Sequence, residues 1–154
     1  MTDISAFPTI TQVCDRGHQN SGPYKAGATI KAGQVVAYAR TGVTDTVHPH
    51  KKGTTSSIAG VAATDAATGT WFNVYTNGAV VYVANADSAT AIGPGEVVEG
   101  NDNAVGGTVS AASGAATTSG KIMMDILGYA VETIAGGDTG RVMIAIQATN
   151  RDQG

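Results

Sequence analysis

The sequence predicts an all-β fold, either a small β-barrel or a β-sandwich built from short antiparallel strands. Apolar and polar residues alternate with a period of two along much of the chain, which is the pattern of half-buried strands. Gly, Asn-Gly and Pro-Gly interrupt this alternation at short intervals, as turns between strands do. The composition is 42% hydrophobic but only 5% aromatic and 14% charged, with 21 glycines, which favours packed sheets of small residues over a disordered chain.

The first 23 residues differ from the rest and predict an extended N-terminal arm. They have no sustained hydrophobic period and contain two of the four prolines. Such an arm is either disordered or ordered along another surface, and the residues leave both alternatives open. The β-domain then extends over residues 24–150.

The stretch WFNVYTNGAVVYV, residues 71–83, predicts a β-hairpin. Asn77-Gly78 is a strong signal for a two-residue type I′ turn, which needs a positive φ at both central positions. Threading the two strands through that turn pairs Val74 with Val81 on one face. Because this face is apolar, we expect it to belong to the core.

The opposite face of the predicted hairpin carries aromatic side chains in a chain that has few of them. Three interpretations remain open: a second buried layer, a contact with another subunit, and a platform on which sugars stack. Tyr and Trp are enriched in protein interfaces, so each interpretation makes this face a contact surface. The residues concerned are Trp71, Tyr75 and Tyr82.

Two pairs of segments are similar to each other. TIKAGQVV at 29–36 matches AIGPGEVV at 91–98, and IAGVA at 58–62 matches ILGYA at 126–130. The order is the same in each half, so we expect the β-domain to contain two similar β-units. A chance similarity between Gly- and Val-rich hairpins is the alternative. The expected units are residues 24–86 and 87–148.

The segment HPHKK, residues 48–52, is the one cluster of metal-ligand residue types. A structural zinc site usually needs four ligands at characteristic spacing, and neither Cys14 nor His18 completes such a pattern. We therefore expect no metal and no cofactor. The segment is instead predicted to be a solvated, cationic loop that contacts an acidic neighbouring surface. Its contact residues are His48, His50, Lys51 and Lys52.

The sequence contains no recognised catalytic motif, whether a G-x-S-x-G elbow, an H-E-x-x-H zinc motif or a phosphate-binding loop, so we expect no enzymatic activity. The net charge is −3 and the Lys and Arg residues are scattered, which argues against direct nucleic-acid binding. No apolar run approaches the roughly 18–20 residues that span a bilayer, so no membrane insertion is expected. The single Cys14 and a start without signal-peptide features predict synthesis in a cytoplasm.

Three successive segments resemble one protein family. They are GATIKAGQVVAYA, then SIAGVAATDAATGTWFNVYTNGAVVYVANADSATAIGPGEVVE, then ILGYAVETIAGGDTGRVMIAI. Their succession of a Gly-x-Val-Val strand, a GVA strand and a closing strand that follows a Gly turn resembles the capsid decoration, or cement, proteins of tailed bacteriophages. The resemblance covers about residues 26–146 and consists of small residues at turns and strands.

The resemblance implies a compact β-barrel or β-sandwich, expected as a homotrimer, on the outer surface of an icosahedral phage head. There it would bind the major capsid protein, bridge capsomers and stabilise the expanded capsid, without enzymatic activity. The resemblance also implies that the N-terminal arm contacts the shell, through Phe7, Ile10, Val13 and Arg16. The aromatic face would contact the shell or another subunit, through Trp71, Tyr75 and Tyr82. It would be made in the host cytoplasm and end in the virion. A second hypothesis stays open, a carbohydrate- or host-surface-binding β-module on a virion or tail that uses Trp71 and the tyrosines as a stacking platform.

Overall fold

The computed structural model describes residues 4–38, 45–52, 57–112 and 125–146. It confirms the predicted all-β fold, with eleven strands in those ranges. Among the same residues there is no helix long and apolar enough to cross a membrane. In chain order the strands are β1 (Cys14–Arg16), β2 (Asn20–Ala26), β3 (Val35–Tyr38), β4 (Thr46–Pro49), β5 (Ile58–Ala62), β6 (Trp71–Tyr75), β7 (Val80–Ala84), β8 (Val97–Gly100), β9 (Val109–Ala111), β10 (Ile126–Ala130) and β11 (Thr139–Ile144).

Strands β2 to β6 close into a five-stranded barrel in the order β2-β4-β3-β5-β6. Most neighbours are antiparallel, as predicted. The exception closes the barrel, because β2 runs parallel to β4 and pairs Ala26 with Val47. The interior is filled by the buried, mostly small side chains Ala26, Ile30, Val36, Val47, Ala59, Ala62, Ala66, Phe72 and Val74.

The remaining strands form a six-stranded sheet in the order β1-β7-β11-β10-β8-β9. Strands β7 to β11 pair with one another in the same pattern as β2 to β6. A parallel bridge between Asn85 and Val109 takes the place of the Ala26–Val47 pair that closes the five-stranded barrel. We call β2 to β6 the first barrel and β7 to β11 the second barrel. β1 extends the second barrel by pairing with β7.

The two similar sequence segments form the same turn, before β3 in one barrel and before β8 in the other. Gly33 and Gly95 have φ values of 88° and 81°, which residues with a Cβ rarely adopt. The side chain of Gln34 accepts a hydrogen bond from the N–H three residues earlier at 2.8 Å, and that of Glu96 does the same at 2.9 Å. The matching letters in the sequence therefore correspond to matching geometry.

The two barrels fill equivalent interior positions with side chains of complementary size. Phe72 occupies the first barrel at the register position that Gly140 has in the second. Ala66 and Ile134 are likewise equivalent, and a Cβ on Gly140 would lie 2.5 Å from the Ile134 side chain. Because protein interiors are close-packed, the space that the Phe72 ring fills in the first barrel is filled in part by Ile134 in the second.

The predicted hairpin at Asn77-Gly78 is wrong, although a turn does form there. The N–H of Ala79 donates to the carbonyl of Thr76 at 3.1 Å, but only Gly78 has a positive φ, so the turn is not type I′. β6 pairs with β2 and β5, whereas β7 pairs with β11 and β1. The Asn77 side chain instead bonds the Ile146 backbone in both directions, at 2.8 and 2.6 Å.

The predicted unit boundaries move for the same reason. β7 belongs to the second barrel, so the division between the barrels falls in the β6–β7 turn and not after residue 86. β2 begins at Asn20, inside the segment predicted as an arm. Long-range pairing, which short sequence signals do not report, decides to which barrel a strand belongs.

The two barrels pack through one hydrophobic cluster. Val35, Ile58 and Val61 of the first barrel lie in the same cluster as the core of the second. The N–H of Val35 also donates to the carbonyl of Gly107 at 2.9 Å, across the junction. The barrels therefore share buried surface and a backbone hydrogen bond.

Candidate interaction surfaces

The outer face of β6 presents polar and aromatic groups at its N-terminal end. Phe72 and Val74 point into the first barrel and are buried, as the alternation predicted, so Trp71 and Asn73 point outward. The Trp71 side chain is 56% exposed, the largest fraction among the large hydrophobic residues that the structure describes. Trp is among the residue types enriched in protein interfaces, which makes this exposed ring a candidate contact.

The neighbour of Trp71 on β2 is Lys25, directly opposite it in the antiparallel register. Both residues are exposed, and opposite residues in such a pair have Cβ atoms about 5 Å apart. Asn73 follows two residues along the same face. We call Trp71, Lys25 and Asn73 the Trp71 surface, since it combines a ring, a cation and an amide at one edge of the first barrel.

Tyr75 does not belong to the Trp71 surface. It lies four residues along β6, about 13 Å away, and packs against the cluster between the barrels. The His18 ring meets it edge-on, with centroids 6.4 Å apart. Burial, and secondarily the nearby Cys14 thiol, raise the pKa of Tyr75, while burial raises the pKa of Cys14. Tyr75 is therefore a residue of the junction.

Tyr82 lies on the second barrel, opposite Arg141 of β11. Its backbone N–H donates to the carbonyl of Val13 at 2.8 Å, and its ring lines a shallow groove beside the N-terminal segment with Thr139. The predicted set of Trp71, Tyr75 and Tyr82 is thus divided over three places. Tyr82 is apart because β6 and β7 lie in different sheets, and Tyr75 is apart because it lies at the other end of β6, against the junction.

The predicted N-terminal arm packs on its own chain. We call residues 4–19 the N-terminal segment. Val13 is only 6% exposed and belongs to the cluster between the barrels, and Ile10 packs against the same cluster and against Gly33. β1 adds pairing with β7, and the Asn103 side chain donates to the carbonyl of Ile4 at 3.3 Å. This corrects the expectation that Ile10 and Val13 contact a shell, because their apolar side chains serve the chain's own core.

Two of the predicted arm residues keep exposed surface. Phe7 is half-buried beside a groove between the N-terminal segment and the first-barrel loops at 31–32 and 63–65. Arg16 is exposed at the end of β1. Of the four predicted contact residues, only these two therefore keep surface outside the chain's own core.

An ion-pair network fastens β1 to the second barrel. Arg141 donates to Glu132 through Nε at 3.1 Å and Nη2 at 3.3 Å, and to Asp15 of β1 through Nη1 at 3.3 Å. The hydrogen bonds from the Arg141 side chain and backbone hold the pKa of Glu132 below its ordinary value, and both carboxylates raise the pKa of Arg141. The side chains are about one-third exposed, so solvent weakens the pairing.

We expect the contribution of Glu132 to stability to depend on pH. Its folded-state pKa lies below the ordinary 4.5, so the contribution is complete above that pH and is lost as pH falls through the folded pKa. The difference in free energy of unfolding between wild type and Glu132→Gln should therefore be present at neutral pH and shrink in acid. Urea titrations across that range measure it, with the exposed Asp102→Asn as control. A difference that stays constant with pH would contradict the assignment.

The predicted cationic loop at 48–52 is only partly a loop. His48 lies in β4, half-buried and packed over Gly27. His50 is completely buried, and its N–H continues the β-ladder by donating to the carbonyl of Val35 at 2.8 Å. The prediction of His50 as a solvated contact residue is wrong, because pairing with β3 turns its side chain into the junction between the barrels.

Four ionisable side chains meet in that junction. Nε2 of His50 donates to Oδ1 of Asp125 at 2.7 Å, since a carboxylate oxygen only accepts. Nζ of Lys52 donates to Oε1 of the buried Glu99, also at 2.7 Å. Lys51 is half-buried. The acidic surface that the cationic segment was expected to meet is, for Lys52 and His50, the second barrel of the same chain.

Some polar atoms in the junction lack a hydrogen-bond partner. Among the described residues these include Nδ1 of His50, Oε2 of Glu99 and Oγ1 of Thr108. Within that part of the chain, no three His, Cys, Asp or Glu side chains come together as metal ligands. The cluster is best described as two hydrogen-bonded pairs of ionisable side chains that join one barrel to the other.

The second barrel has an exposed apolar row that was not predicted from the sequence. Val97 and Tyr129 are 47% and 42% exposed and lie opposite each other on β8 and β10. Met143 of β11 lies opposite Tyr129 and is half-buried. We call these three residues the outer row. Aligning the two similar segments would have placed Val97 and Tyr129 at the positions of Val35 and Val61.

The sequence matches no family model and no curated protein. The fold is similar to that of a solved structure, the N base of head fiber gp8.5 of bacteriophage phi29. The similarity has a TM-score of 0.55 and covers 84% of this chain and 97% of that chain, at 17% sequence identity. At an identity this low, the similarity shows a shared fold alone.

Proposed function

We propose that this chain is a structural protein of a tailed-phage virion that binds the outer surface of the icosahedral head. There it binds the major capsid protein, bridges capsomers and stabilises the expanded capsid, as a homotrimer made in the host cytoplasm. The observation that carries the proposal is the fold shared, over most of both chains, with the base of a phage head fiber. The resemblance of residues 26–146 to capsid decoration proteins supports the same role.

The Trp71 surface is the part of the molecule that we assign to the shell. Trp71 is a large exposed ring beside the cation of Lys25 and the amide of Asn73, and Trp is one of the residues enriched in interface hot spots. Exposed Arg16 and half-buried Phe7 add to the set of contacts. An acidic, partly apolar patch on a capsomer complements these groups.

The mechanism is thermodynamic linkage between binding of this chain and expansion of the shell. A protein that binds the expanded shell more tightly than the unexpanded one stabilises it by that difference in binding free energy. Several copies joined to one another multiply weak contacts through effective concentration. No catalytic group, nucleic-acid contact, cofactor or membrane anchor enters this mechanism.

Trp71→Ala is expected to weaken binding to expanded capsids by on the order of thirtyfold, because a buried aromatic anchor is worth about 2 kcal/mol or more. The measurement is co-sedimentation of the purified chain with expanded capsids over a concentration series. Thr90→Ala, an exposed residue of the second barrel, is the matched control and should bind as wild type does. Absence of saturable pelleting by wild type would overturn the proposed function, and unchanged pelleting by Trp71→Ala would remove the Trp71 surface from it.

A second candidate function is a carbohydrate- or host-surface-binding module on a virion or tail. The observation that favours it is the same exposed indole, flanked by Asn73 and Lys25, since sugars stack on aromatic rings and bond to amides and cations. A glycan-array signal from wild type that Trp71→Ala abolishes, together with no capsid pelleting, would favour this function over the first.

A further inference from the structure

The outer row of the second barrel has an exact counterpart by register in the first barrel. In β3, β5 and β6, Val35 lies opposite Val61, and Val61 opposite Tyr75. In β8, β10 and β11, Val97 lies opposite Tyr129, and Tyr129 opposite Met143. We call Val35, Val61 and Tyr75 the inner row. The two rows occupy the same place on two barrels of the same topology.

The rows differ sharply in exposure. Val35 and Val61 are 0% exposed, whereas Val97 and Tyr129 are 47% and 42% exposed. The inner row is covered because the second barrel and the N-terminal segment pack on it, with Val35 and Val61 in the shared cluster. Within the described residues, no third barrel follows to cover the outer row.

We propose that the outer row is the docking surface for the first barrel of a second copy of this chain. The second copy takes the position on Val97, Tyr129 and Met143 that the second barrel has on Val35, Val61 and Tyr75. The internal contact between barrels is thereby repeated between molecules. The proposal deepens the homotrimer named in the proposed function, because it states which surfaces join the copies.

The His50–Asp125 pair of the internal contact has uncharged counterparts at the new contact. In the internal contact, His50 donates to Asp125 across the junction. The equivalent of His50 is Ala112, whose N–H donates to Val97 as that of His50 donates to Val35, at 2.9 and 2.8 Å. Asp125, just before β10, corresponds to Ser57 just before β5. Docking a second copy would therefore bring Ala112 to its Ser57, and neither of these two side chains carries a charge.

The geometry of the contact is head to tail. Each copy uses the outer row of its second barrel on one side and its first barrel on the other, so the two surfaces differ. Heterologous contacts of this kind close into rings when the rotation permits and otherwise extend into filaments. Two copies joined outer row to outer row would be a different, isologous arrangement.

The first test measures molar mass by light scattering on the full chain, without capsids, over a concentration series. Wild type should be an oligomer, and Tyr129→Glu should raise the dissociation constant by about a hundredfold or more, because it places a charge in the apolar contact. Trp71→Glu makes the same kind of change on another exposed ring and should leave the oligomer intact. Circular dichroism should show both variants folded, since both side chains face solvent in one copy.

A monomeric wild type at all concentrations would overturn the proposal, and so would an unchanged mass for Tyr129→Glu. Dissociation by Trp71→Glu instead would place the contact elsewhere and also overturn it. None of these outcomes depends on capsid binding, so failure here and failure of the proposed function are distinguishable.

The second test separates the two arrangements by oxidation of Val97→Cys. Disulfides need Cα atoms within about 7 Å, and the natural Cys14 is buried. In the head-to-tail contact, residue 97 faces the first barrel of the next copy, so we expect no disulfide-linked dimer. Efficient cross-linking between two copies of residue 97 would overturn the head-to-tail contact.

Discussion

Removal of residues 1–16 is expected to lower the free energy of unfolding by about 4 kcal/mol, because it takes Val13 out of the shared cluster and strips β1 from β7. Val13 is 6% exposed, and Ile10 fills the space over Gly33, where a Cβ would lie 2.5 Å from the Ile10 side chain. The truncation also removes Asp15 from the ion-pair network around Arg141. An arm that served only a shell would have no such effect.

Urea unfolding followed by tryptophan fluorescence measures this loss. The matched control removes residues 1–6 alone, which leaves Ile10 and Val13 in place, and should cost far less. An unchanged midpoint for the longer truncation would contradict the packing of the N-terminal segment. Because truncation disturbs the fold, its effect on capsid binding is not informative, and Phe7→Ser and Arg16→Ser are the variants that test shell contact by the N-terminus.

Asp125→Ala is expected to destabilise the protein by about 3 kcal/mol, because it leaves the buried Nε2–H of His50 without its hydrogen-bond acceptor. His50 is fully buried and its Nε2–H points at Asp125 at 2.7 Å, while its Nδ1 has no partner among the described residues. The loss should fall on the packing of one barrel against the other, where both residues lie.

Thermal and urea unfolding measure the effect of Asp125→Ala. Asp102→Ala removes the same group from an exposed position and should change stability by less than about 0.5 kcal/mol. Asp125→Asn keeps an acceptor oxygen and should lose less than Asp125→Ala. Equal stability of Asp102→Ala and Asp125→Ala would show that the His50–Asp125 contact carries no stability.

Much of the fold could be predicted from local signals. Alternation placed Phe72 and Val74 inside, and the composition excluded a helix-rich fold. The similar segments around Gly33 and Gly95 form the same turn because each turn is made from residues close in sequence, a Gly with positive φ followed by Gln or Glu. Features that depend on a few adjacent residues are recorded in the sequence.

The candidate sites were less predictable. Asn77-Gly78 marks a turn in the sequence, but nothing local tells whether the flanking strands pair with each other or with distant strands. The prediction that three aromatic residues share one face was wrong together with the hairpin, because Tyr82 lies on the second barrel. Val13 and His50 were expected at surfaces because the partners that bury them, the second barrel and Asp125, are far away along the chain.

The sequence by itself determined the all-β class, the turns, the alternation of inner and outer side chains and the similarity of the two halves, since each is governed by φ preference and side-chain period over a few residues. The tertiary structure alone decided which strands share a barrel, where the N-terminal segment lies, and which of two equivalent apolar rows is covered. Val35 and Val97 stand at the same place in the same motif, yet one is buried and the other exposed. The difference arises because the second barrel packs on the first, whereas among the described residues no further barrel packs on the second.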